Sequence, residues 1–374
     1  MKQRWQIKKL GEVCIKCNNI KWDVVEKDAT FQYIDLTSVD RDDLCIHNPQ
    51  TINKDNAPSR AKQIIKTGDV IFATTRPTLR RVSLIDEKYN NAICSTGFCV
   101  LRPSNEVLPQ FVFYALQEDG FYKYIEPLQT GASYPAVTDG VVKNYLISAP
   151  PLFEQKRIVN LLDAEFAKID ALKANAERNL QNAKDLFQAA MKKELEQKEG
   201  WKISTIQQML KLTSGDNLTT KNIVQGEYPV YGGNGIMGYH NRYNLDGENV
   251  IVGRVGAWCG NVRLVNGKIW YTDNAFLVND KTKSFYLPYL AYVLENANLR
   301  QCATQAAQPV ISNVSIKDVV LSFPTSISIQ QSIVARLNVL NEKCKTLQAN
   351  YEKTIALCDD LKQALLRKAF NGEI

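Results

Sequence analysis

Arginines grouped in short loops are the side chains of this sequence best suited to hold another molecule. Residues 76–81 read RPTLRR and follow the apolar segment 70–73, which predicts a loop after a buried strand. A guanidinium group binds phosphate oxygens, and it can also donate two hydrogen bonds to O6 and N7 of guanine. An ordinary solvated loop is the alternative. Under the binding hypothesis, the candidate residues in this half of the chain are Arg60, Lys62, Arg76, Thr78, Arg80 and Arg81.

A second, glycine-dense loop carries a different set of polar side chains. Residues 253–261 read GRVGAWCGN and follow another apolar segment, residues 250–252. Asparagine can pair with adenine as arginine pairs with guanine. Arg254, Trp258 and Asn261 are therefore candidates for contacts with nucleic acid, and an ordinary β-turn is the alternative for the same residues.

Two further loops match each other in the two halves of the chain. Residues 130–135 read TGASYP, residues 304–309 read TQAAQP, and each segment leads toward a terminal strand. Small residues followed by a planar or amide side chain suit close approach to a DNA groove, and they suit a structural turn almost equally well. The candidate residues here are Ser133, Tyr134, Gln305 and Gln308.

Residues 231–238, YGGNGIMG, have the glycine spacing of a dinucleotide-binding fingerprint. That site requires a helix to begin at the glycines, so that its first backbone amides meet the pyrophosphate. The residues that follow, 239–244, are polar and turn-rich and show no helical periodicity. The pattern therefore predicts a turn in which two backbones approach closely, with Tyr231 and Asn234 as candidates for DNA contact, and it predicts no cofactor in this chain.

Sequence motifs for catalysis are missing. The chain has no glycine-rich loop ending in Gly-Lys-Ser/Thr, no Asn/Asp-Pro-Pro-Tyr/Phe motif of amino-methyltransferases, and only two histidines. Cys14 and Cys17 have the spacing of a zinc knuckle, but no second such pair occurs among the nine cysteines. We therefore expect no catalytic residues, no metal site and reduced cysteines.

The composition indicates a soluble protein of two domains. The 374 residues are 45% hydrophobic, and no stretch approaches the ~18 consecutive apolar residues that a membrane span needs. The first residues lack the apolar stretch of a signal peptide, so we expect a cytoplasmic protein. The net charge of +7 is spread along the chain without a basic tail, so any contact with nucleic acid must come from local patches.

Two long helices are predicted to hold these loops in place. From Ile158 onward, apolar or small residues recur at alternating steps of four and three, the 3.5-residue period of a coiled-coil seam, and the same register returns from Ile333. Full overlap of two antiparallel seams would place Ile158 opposite Leu365. The predicted helix-pairing residues are Ile158, Leu162, Ile169, Leu172, Leu186, Ile333, Leu337, Leu340, Leu347, Tyr351, Leu361 and Leu365.

The regions beside the helices repeat one plan. Residues 250–252 follow Gly247 as residues 70–72 follow Gly68. The sequence thus predicts an α+β fold, a pseudo-two-fold internal repeat in which two globular domains with mostly antiparallel sheets are separated by two long antiparallel coiled-coil helices. The predicted boundaries are 1–150 for the first domain, 151–199 for the first helix, 200–324 for the second domain and 325–374 for the second helix.

Four segments of the chain match sequence motifs of one protein family. They are residues 151–159 (PLFEQKRIV), 228–235 (YPVYGGNG), 272–275 (TDNA) and 361–374 (LKQALLRKAFNGEI). In these segments, and over essentially its whole length, the chain resembles the specificity (S) subunit of type I restriction-modification systems. The start of the second helix, PTSISIQQ at residues 324–331, differs from the motif at residues 151–159. We therefore assign no partner contacts to residues 324–331.

The resemblance implies a DNA sequence-recognition subunit that is not itself catalytic. Two target-recognition domains would each contact one half of a split, asymmetric site in double-stranded DNA. The subunit would assemble with two modification (methyltransferase) subunits and with restriction (endonuclease/translocase) subunits, and S-adenosylmethionine, ATP and Mg would belong to those partners. Two alternatives remain: a free-standing sequence-specific DNA-binding protein, and a DNA methyltransferase with fused recognition domains.

Overall fold

The computed structural model describes residues 5–304 and 307–374; the predicted contact residue Gln305 lies outside the described residues. The chain divides into two compact units. Unit 1 comprises Met1–Ala176 and Lys353–Ile374, and unit 2 comprises Glu177–Glu352. Within the described residues, no helix combines the length and the apolar character that crossing a membrane requires.

The described residues of unit 1 form ten short strands, three short α-helices, the first part of one long helix and the last part of another. Its strands are β1 Gln6–Lys9, β2 Cys14–Ile15, β3 Phe31–Ile34, β4 Gln50–Ile52, β5 Ala61–Ile64, β6 Val70–Ala73, β7 Val82–Leu84, β8 Ile93–Ser95, β9 Phe98–Pro103 and β10 Leu146–Ala149. Its helices are α1 Pro109–Ala115, α2 Asp119–Ile125, α3 Asp139–Lys143 and the long helix α4 Leu152–Glu194, which ends in unit 2.

Among the described residues, unit 2 has a similar order of elements, with one strand fewer and with a short α-helix directly after its first strand. Its strands are β11 Lys202–Thr205, β12 Leu210–Ser214, β13 Gln225–Gly232, β14 Gly235–His240, β15 Asn249–Gly253, β16 Val262–Val265, β17 Trp270–Tyr271, β18 Ala275–Asp280 and β19 Val320–Phe323. Its helices are α5 Ile206–Met209, α6 Leu287–Asn296, α7 Asn313–Ile316 and the long helix α8 Ile327–Phe370, which ends in unit 1.

The sheets of the two units correspond, except that one sheet has four strands in unit 1 and three in unit 2. In unit 1 the strand orders are β1-β10, β2-β9-β6-β7 and β4-β3-β8-β5, and in unit 2 they are β11-β19, β12-β18-β15-β16 and β14-β13-β17. Within each unit a single pair is parallel, β3 with β8 and β13 with β17, and the other named pairs of the described residues are antiparallel. The predicted α+β fold with mostly antiparallel sheets, a long helix pair and an internal repeat is confirmed.

Strand β6 is apolar without alternation because both of its faces are covered. Val70 and Phe72 belong to the core beneath helices α1 and α2, whereas Ile71 and Ala73 belong to the core shared with strand β8. A strand buried on both faces gives a continuous apolar run rather than an alternating one. Strand β15 of unit 2 is buried in the same way. Both strands are internal in their four-stranded sheets, so the loop that follows each one leaves from the interior of the sheet.

A buried glutamine ties the start of each long helix to the domain beside it. The side chain of Gln155 is fully buried; its Oε1 accepts the N–H of Leu108 at 2.8 Å, and its Nε2 donates to the carbonyl oxygens of Glu106 and Pro150 at 3.0 and 2.8 Å. In unit 2, Gln330 makes the equivalent three bonds. Its partners are the N–H of Tyr286 at 2.7 Å and the carbonyl oxygens of Ser284 and Pro324 at 2.9 and 2.8 Å.

We expect Gln155→Leu to lower the free energy of unfolding by about 2 kcal/mol, because it leaves a buried N–H and two carbonyl groups without these partners. Denaturant titration of the purified protein measures this loss. The matched control is Lys156→Leu, which places the same side chain on an exposed position of the same turn. Equal stability of the two variants would contradict the role assigned to the glutamine.

The two long helices pack antiparallel, but in a different register from the one predicted. In unit 1, Asp170 pairs with Lys362, and Lys173 pairs with Asp359 at 2.8 Å. In unit 2, Glu194 pairs with Arg336 at 2.6 Å, whereas full overlap of the seams would place this glutamate opposite Ile329. The shift is about two helical turns. Shifting one helix by seven residues along the other leaves a heptad seam equally well paired, so the apolar pattern cannot distinguish these two registers. The ion pairs beside the seam do distinguish them.

The predicted seam is wrong for four leucines. Ile158, Leu162, Ile169, Ile333 and Leu337 are buried, and Leu340, Tyr351 and Leu365 are partly buried. Phe166 and Phe187 are buried beside the predicted seam positions. A nearly straight α-helix has 3.6 residues per turn, so its buried face drifts away from a strict 3.5-residue repeat. The exposed leucines are Leu172, Leu186, Leu347 and Leu361.

Candidate nucleic-acid interface

Two loops of unit 1 are joined by backbone hydrogen bonds into one surface. We call residues 74–81 the arginine loop and residues 130–137 the Tyr134 loop. The N–H of Arg76 donates to the carbonyl of Pro135 at 2.6 Å, and the N–H of Val137 donates to the carbonyl of Thr74 at 2.9 Å. Because both loops are tied to the end of β6, their side chains are presented on a rigid base.

Unit 2 builds the same surface from a different sequence. We call residues 254–261 the Trp258 loop and residues 304–311, of which the structure describes 304 and 307–311, the Gln308 loop. The N–H of Gly256 donates to the carbonyl of Pro309 and the N–H of Ile311 to the carbonyl of Arg254, both at 2.9 Å. These bonds correspond to those of unit 1, so residue 256 is the structural counterpart of residue 76.

The two loops differ at positions where the backbone is left-handed. In the Trp258 loop these positions are Gly256 and Gly260, with φ of 94° and 86°. In the arginine loop the corresponding residues are Arg76 and Arg80, with φ of 50° and 57°. This conformation costs an L-residue ~1 kcal/mol relative to glycine. Unit 2 shows that the same turn can be made with glycine, so the arginines are not required for the turn itself.

Arg76 and Tyr134 form an exposed pair at the junction of the two loops of unit 1. The guanidinium carbon of Arg76 lies 4.7 Å from the centre of the Tyr134 ring, and the tyrosine side chain is 68% exposed. A cation stacked on an aromatic face is held in orientation while the N–H edge of the guanidinium stays available. This geometry suits recognition of a planar, hydrogen-bond-accepting edge such as that of guanine.

Of the other two arginines of this loop, Arg80 is paired within the protein and Arg81 is partly buried. Arg80 pairs with Asp119 at 2.7 Å, and its guanidinium carbon lies 4.2 Å from the ring centre of Tyr122. Arg81 is partly buried, and its Nε atom has no hydrogen-bond acceptor among the described residues. Thr78 is exposed in the short turn between Arg76 and Arg80. The loop thus presents Arg76 and Thr78 outward, whereas Asp119 partly neutralises the charge of Arg80.

Arg60 lies near the arginine loop, and the described contacts do not connect Lys62 to it. The N–H of Thr96 donates to the carbonyl of Arg60 at 2.9 Å. Gly97, which follows Thr96 in the chain, accepts the N–H of Thr74 with its carbonyl, also at 2.9 Å. The turn between β8 and β9 therefore joins the two segments. Lys62 is exposed on β5 and Ser133 is exposed in the Tyr134 loop.

The predicted contact residues of unit 2 divide into exposed and inward-facing side chains. Trp258 is 55% exposed and Gln308 is exposed, whereas Asn261 is partly buried. Arg254 faces inward. Its Nη1 donates to Oγ of Ser214 at 3.2 Å, and its Nε is buried without an acceptor among the described residues.

The glycine-rich segment of unit 2 forms a hairpin turn. Strand β14 begins at Gly235, and no helix begins at these glycines, so the geometry that a pyrophosphate needs is absent from the described turn. A Cβ atom on Gly233 would lie 2.3 Å from the carbonyl oxygen of Val255. The predicted close approach of two backbones is therefore present at Gly233. Asn234 is exposed at the tip and Tyr231 is partly buried.

Arg263 is a cationic residue of this surface that sequence reasoning missed. It lies on β16 opposite Ile251 of β15. Its guanidinium packs on the hairpin, because a Cβ atom on Gly235 would lie 3.2 Å from Nη2 of Arg263. A single arginine within the apolar strand VRLV is the signal that could have indicated it.

The cysteine pair near the N-terminus does not have the environment of a metal site. Burial, together with the neighbouring Cys17, raises the pKa of the Cys14 thiol to about 12. Metal ligation needs the thiolate, which this environment disfavours. Within the described ranges, no cluster of three or more histidine, cysteine, aspartate or glutamate side chains could hold a metal ion.

Comparison with known sequences places both halves of the chain in one family. The family described as "Type I restriction modification DNA specificity domain" matches residues 2–181 and 198–356. The chain is 24% identical over 361 residues to the EcoKI specificity subunit of Escherichia coli (strain K12), covering 84% of this chain and 76% of that subunit. It is 31% identical over 129 residues to the EcoprrI specificity subunit of Escherichia coli, and this match spans only 33% of the chain and 32% of that relative.

A solved structure has the same fold over the whole chain. It is a chain from work on complex assembly and conformational transition of the type I R-M system; it has a TM-score of 0.88 and 26% sequence identity, and the match covers 99% of this chain and 98% of that one. The family match occurs twice, once in each unit that carries a loop surface. The chain belongs to the type I restriction-modification DNA specificity family.

Proposed function

We propose that this chain is the DNA sequence-recognition subunit of a type I restriction-modification complex, and that each unit contacts one half of a split, asymmetric DNA site. The observation that carries this proposal is one loop scaffold built twice with different side chains. The arginine loop has three arginines where the Trp258 loop has one arginine, two glycines, a tryptophan and an asparagine. Because base edges differ in their donors and acceptors, two such surfaces would select different base sequences.

A repeated apolar patch supports binding of two copies of one partner. On the outer face of β1 and β10, Ile7 and Leu146 are 61% and 56% exposed, and on β11 and β19, Ile203 and Val320 are 53% and 60% exposed. Exposed apolar patches on folded proteins mark interaction sites. The chain would bind two modification subunits through these patches and associate with restriction subunits. S-adenosylmethionine, ATP and Mg would belong to those partners, and this chain would contribute no catalytic residue.

The decisive experiment co-expresses the chain with a type I modification subunit from the same host and maps the methylated sites on host DNA. We expect one bipartite, asymmetric sequence. Methylation or S-adenosylmethionine binding by the chain alone would favour a fused methyltransferase. Equally tight sequence-specific binding by the chain alone, with no partner recovered, would favour a free-standing DNA-binding protein.

Within this function, we expect Arg76→Gly to weaken binding to the cognate site by about fivefold to 150-fold, which corresponds to the ~1–3 kcal/mol of a base-contacting arginine. The free energy of unfolding should stay the same or rise, because glycine relieves the left-handed backbone. Fluorescence anisotropy of the assembled complex and thermal unfolding measure the two effects.

The control for this prediction is Asn91→Gly, which makes the same backbone change at another exposed left-handed position, with φ of 64°. It should leave DNA affinity unchanged. If Arg76→Gly bound the cognate site like the unmodified complex, the arginine loop would be only a solvated turn.

A further inference from the structure

Arg263 is a cation that has no counterion among the described residues of unit 2. Its guanidinium is partly buried between β16 and the β13–β14 hairpin, and it forms no ion pair or hydrogen bond with another described residue. Removal from water lowers the pKa of Arg263, and the nearby Tyr231 hydroxyl offsets only part of this effect. A partly desolvated charge without a counterion is unfavourable for folding.

The repeat shows that the fold does not need a cation at this position. In unit 1, β7 pairs with β6 in the register in which β16 pairs with β15, and the residue opposite Ile71 is Ser83. Ser83 is buried, with 3% exposure. A small polar residue therefore completes the same strand pair in unit 1. Because folding of the pair does not require arginine, Arg263 has a role that is specific to unit 2.

The hairpin leaves room for this side chain. Gly235 begins β14, and the three nearest atoms to a Cβ placed there all belong to the guanidinium group, Nη2 at 3.2 Å, Cζ at 3.6 Å and Nε at 3.8 Å. A Cβ atom at position 235 would require the flexible guanidinium group to shift by a few tenths of an ångström, and the backbone φ of +112° independently favours glycine there. The exposed Asn234 lies next to this glycine at the hairpin tip, so Arg263 is on the surface already proposed to face DNA.

We propose that Arg263 binds a backbone phosphate of the second half-site. This inference rests on the proposed DNA-recognition function and identifies one of its positioning contacts. The phosphate would supply the counterion that the described residues do not provide. Because the guanidinium is already held between the strand and the hairpin, little side-chain freedom would be lost on binding.

The test uses the complete complex with its modification subunits and compares Arg263→Met with Arg263→Lys. For Arg263→Met we expect affinity for cognate and unrelated duplexes to fall alike, by about threefold to tenfold, and the slope of log affinity against log salt to become shallower by about one. Thermal stability should be unchanged or higher, because the uncompensated charge is gone. Arg263→Lys should keep the salt slope. The control Lys202→Met removes an equal charge from β11, outside this surface, and should leave the slope unchanged.

Three results would overturn the proposal: an unchanged salt slope in Arg263→Met, a clear loss of stability in that variant, or an affinity loss confined to one base pair of the second half-site. The last result would identify a base contact instead of a phosphate contact. These outcomes are distinct from failure of the proposed function, in which the unmodified complex itself would show no preference for a bipartite sequence.

Discussion

Replacing residues 1–150 with the corresponding segment of another family member is expected to change one half of the methylated sequence completely and to leave the other half intact. The arginine loop and the Tyr134 loop both lie in this segment, and their backbone bonds are made within it. Specific binding commonly exceeds non-specific binding by 10³-fold or more. The new half-site should therefore be preferred over the old one by roughly that ratio.

Sequencing of methylated host DNA gives the result directly. The reciprocal control replaces residues 200–324 and should change only the other half-site. A change in both halves after either replacement would contradict recognition by one unit per half-site. Loss of all methylation would call for an assay of partner assembly with the chimaera, because the patch that contains Ile7 and Leu146 is also replaced.

Gly233→Ala is expected to destabilise unit 2 by about 3 kcal/mol or more, a large effect for one methyl group. Its Cβ atom would lie 2.3 Å from the carbonyl oxygen of Val255 and 3.2 Å from that of Asn274. Both are backbone atoms and cannot move aside as a flexible side chain can. The hairpin would have to separate from the Trp258 loop, so binding to the second half-site should weaken together with stability.

The matched control is Gly247→Ala, in which the added methyl group meets no steric contact but the backbone is left-handed. A Cβ atom on Gly247 meets no atom within 4 Å, but the backbone φ is +85°. This variant should therefore cost only the ~1 kcal/mol of a left-handed alanine. Denaturant titration of both variants separates steric contact from backbone strain. A Gly233→Ala variant as stable as Gly247→Ala would contradict the close packing of the two loops.

The repeat acts as an internal comparison that separates structural residues from functional ones. Gln155 and Gln330 keep both residue type and hydrogen bonds, which indicates a structural requirement. At the loop positions the backbone bonds are kept and the side chains differ. Arg76 corresponds to Gly256, and Ser83 corresponds to Arg263. Differences on an unchanged backbone are what two domains with different target sequences require.

Much of the fold could be predicted because the signals were local or periodic. The helices were visible as two copies of one apolar repeat, and strands β6 and β15 as apolar runs after glycine turns. The buried helix face could not be predicted to the residue, because the drift between 3.5 and 3.6 residues per turn accumulates over many turns. The register was undetermined for a related reason, since the seam is nearly unchanged by a shift of one heptad.

For the candidate site, too, some features could be predicted from the sequence and others only from the structure. From the amino-acid sequence we could predict that two loops in each half carry the polar residues, because glycine, proline and arginine in short segments after apolar strands are local signals. Only the tertiary structure showed that Asp119 pairs with Arg80, that Tyr134 stacks on Arg76 and that Gly235 packs on Arg263. These neighbours are distant in the chain, and the availability of a charge depends on which groups surround it in space.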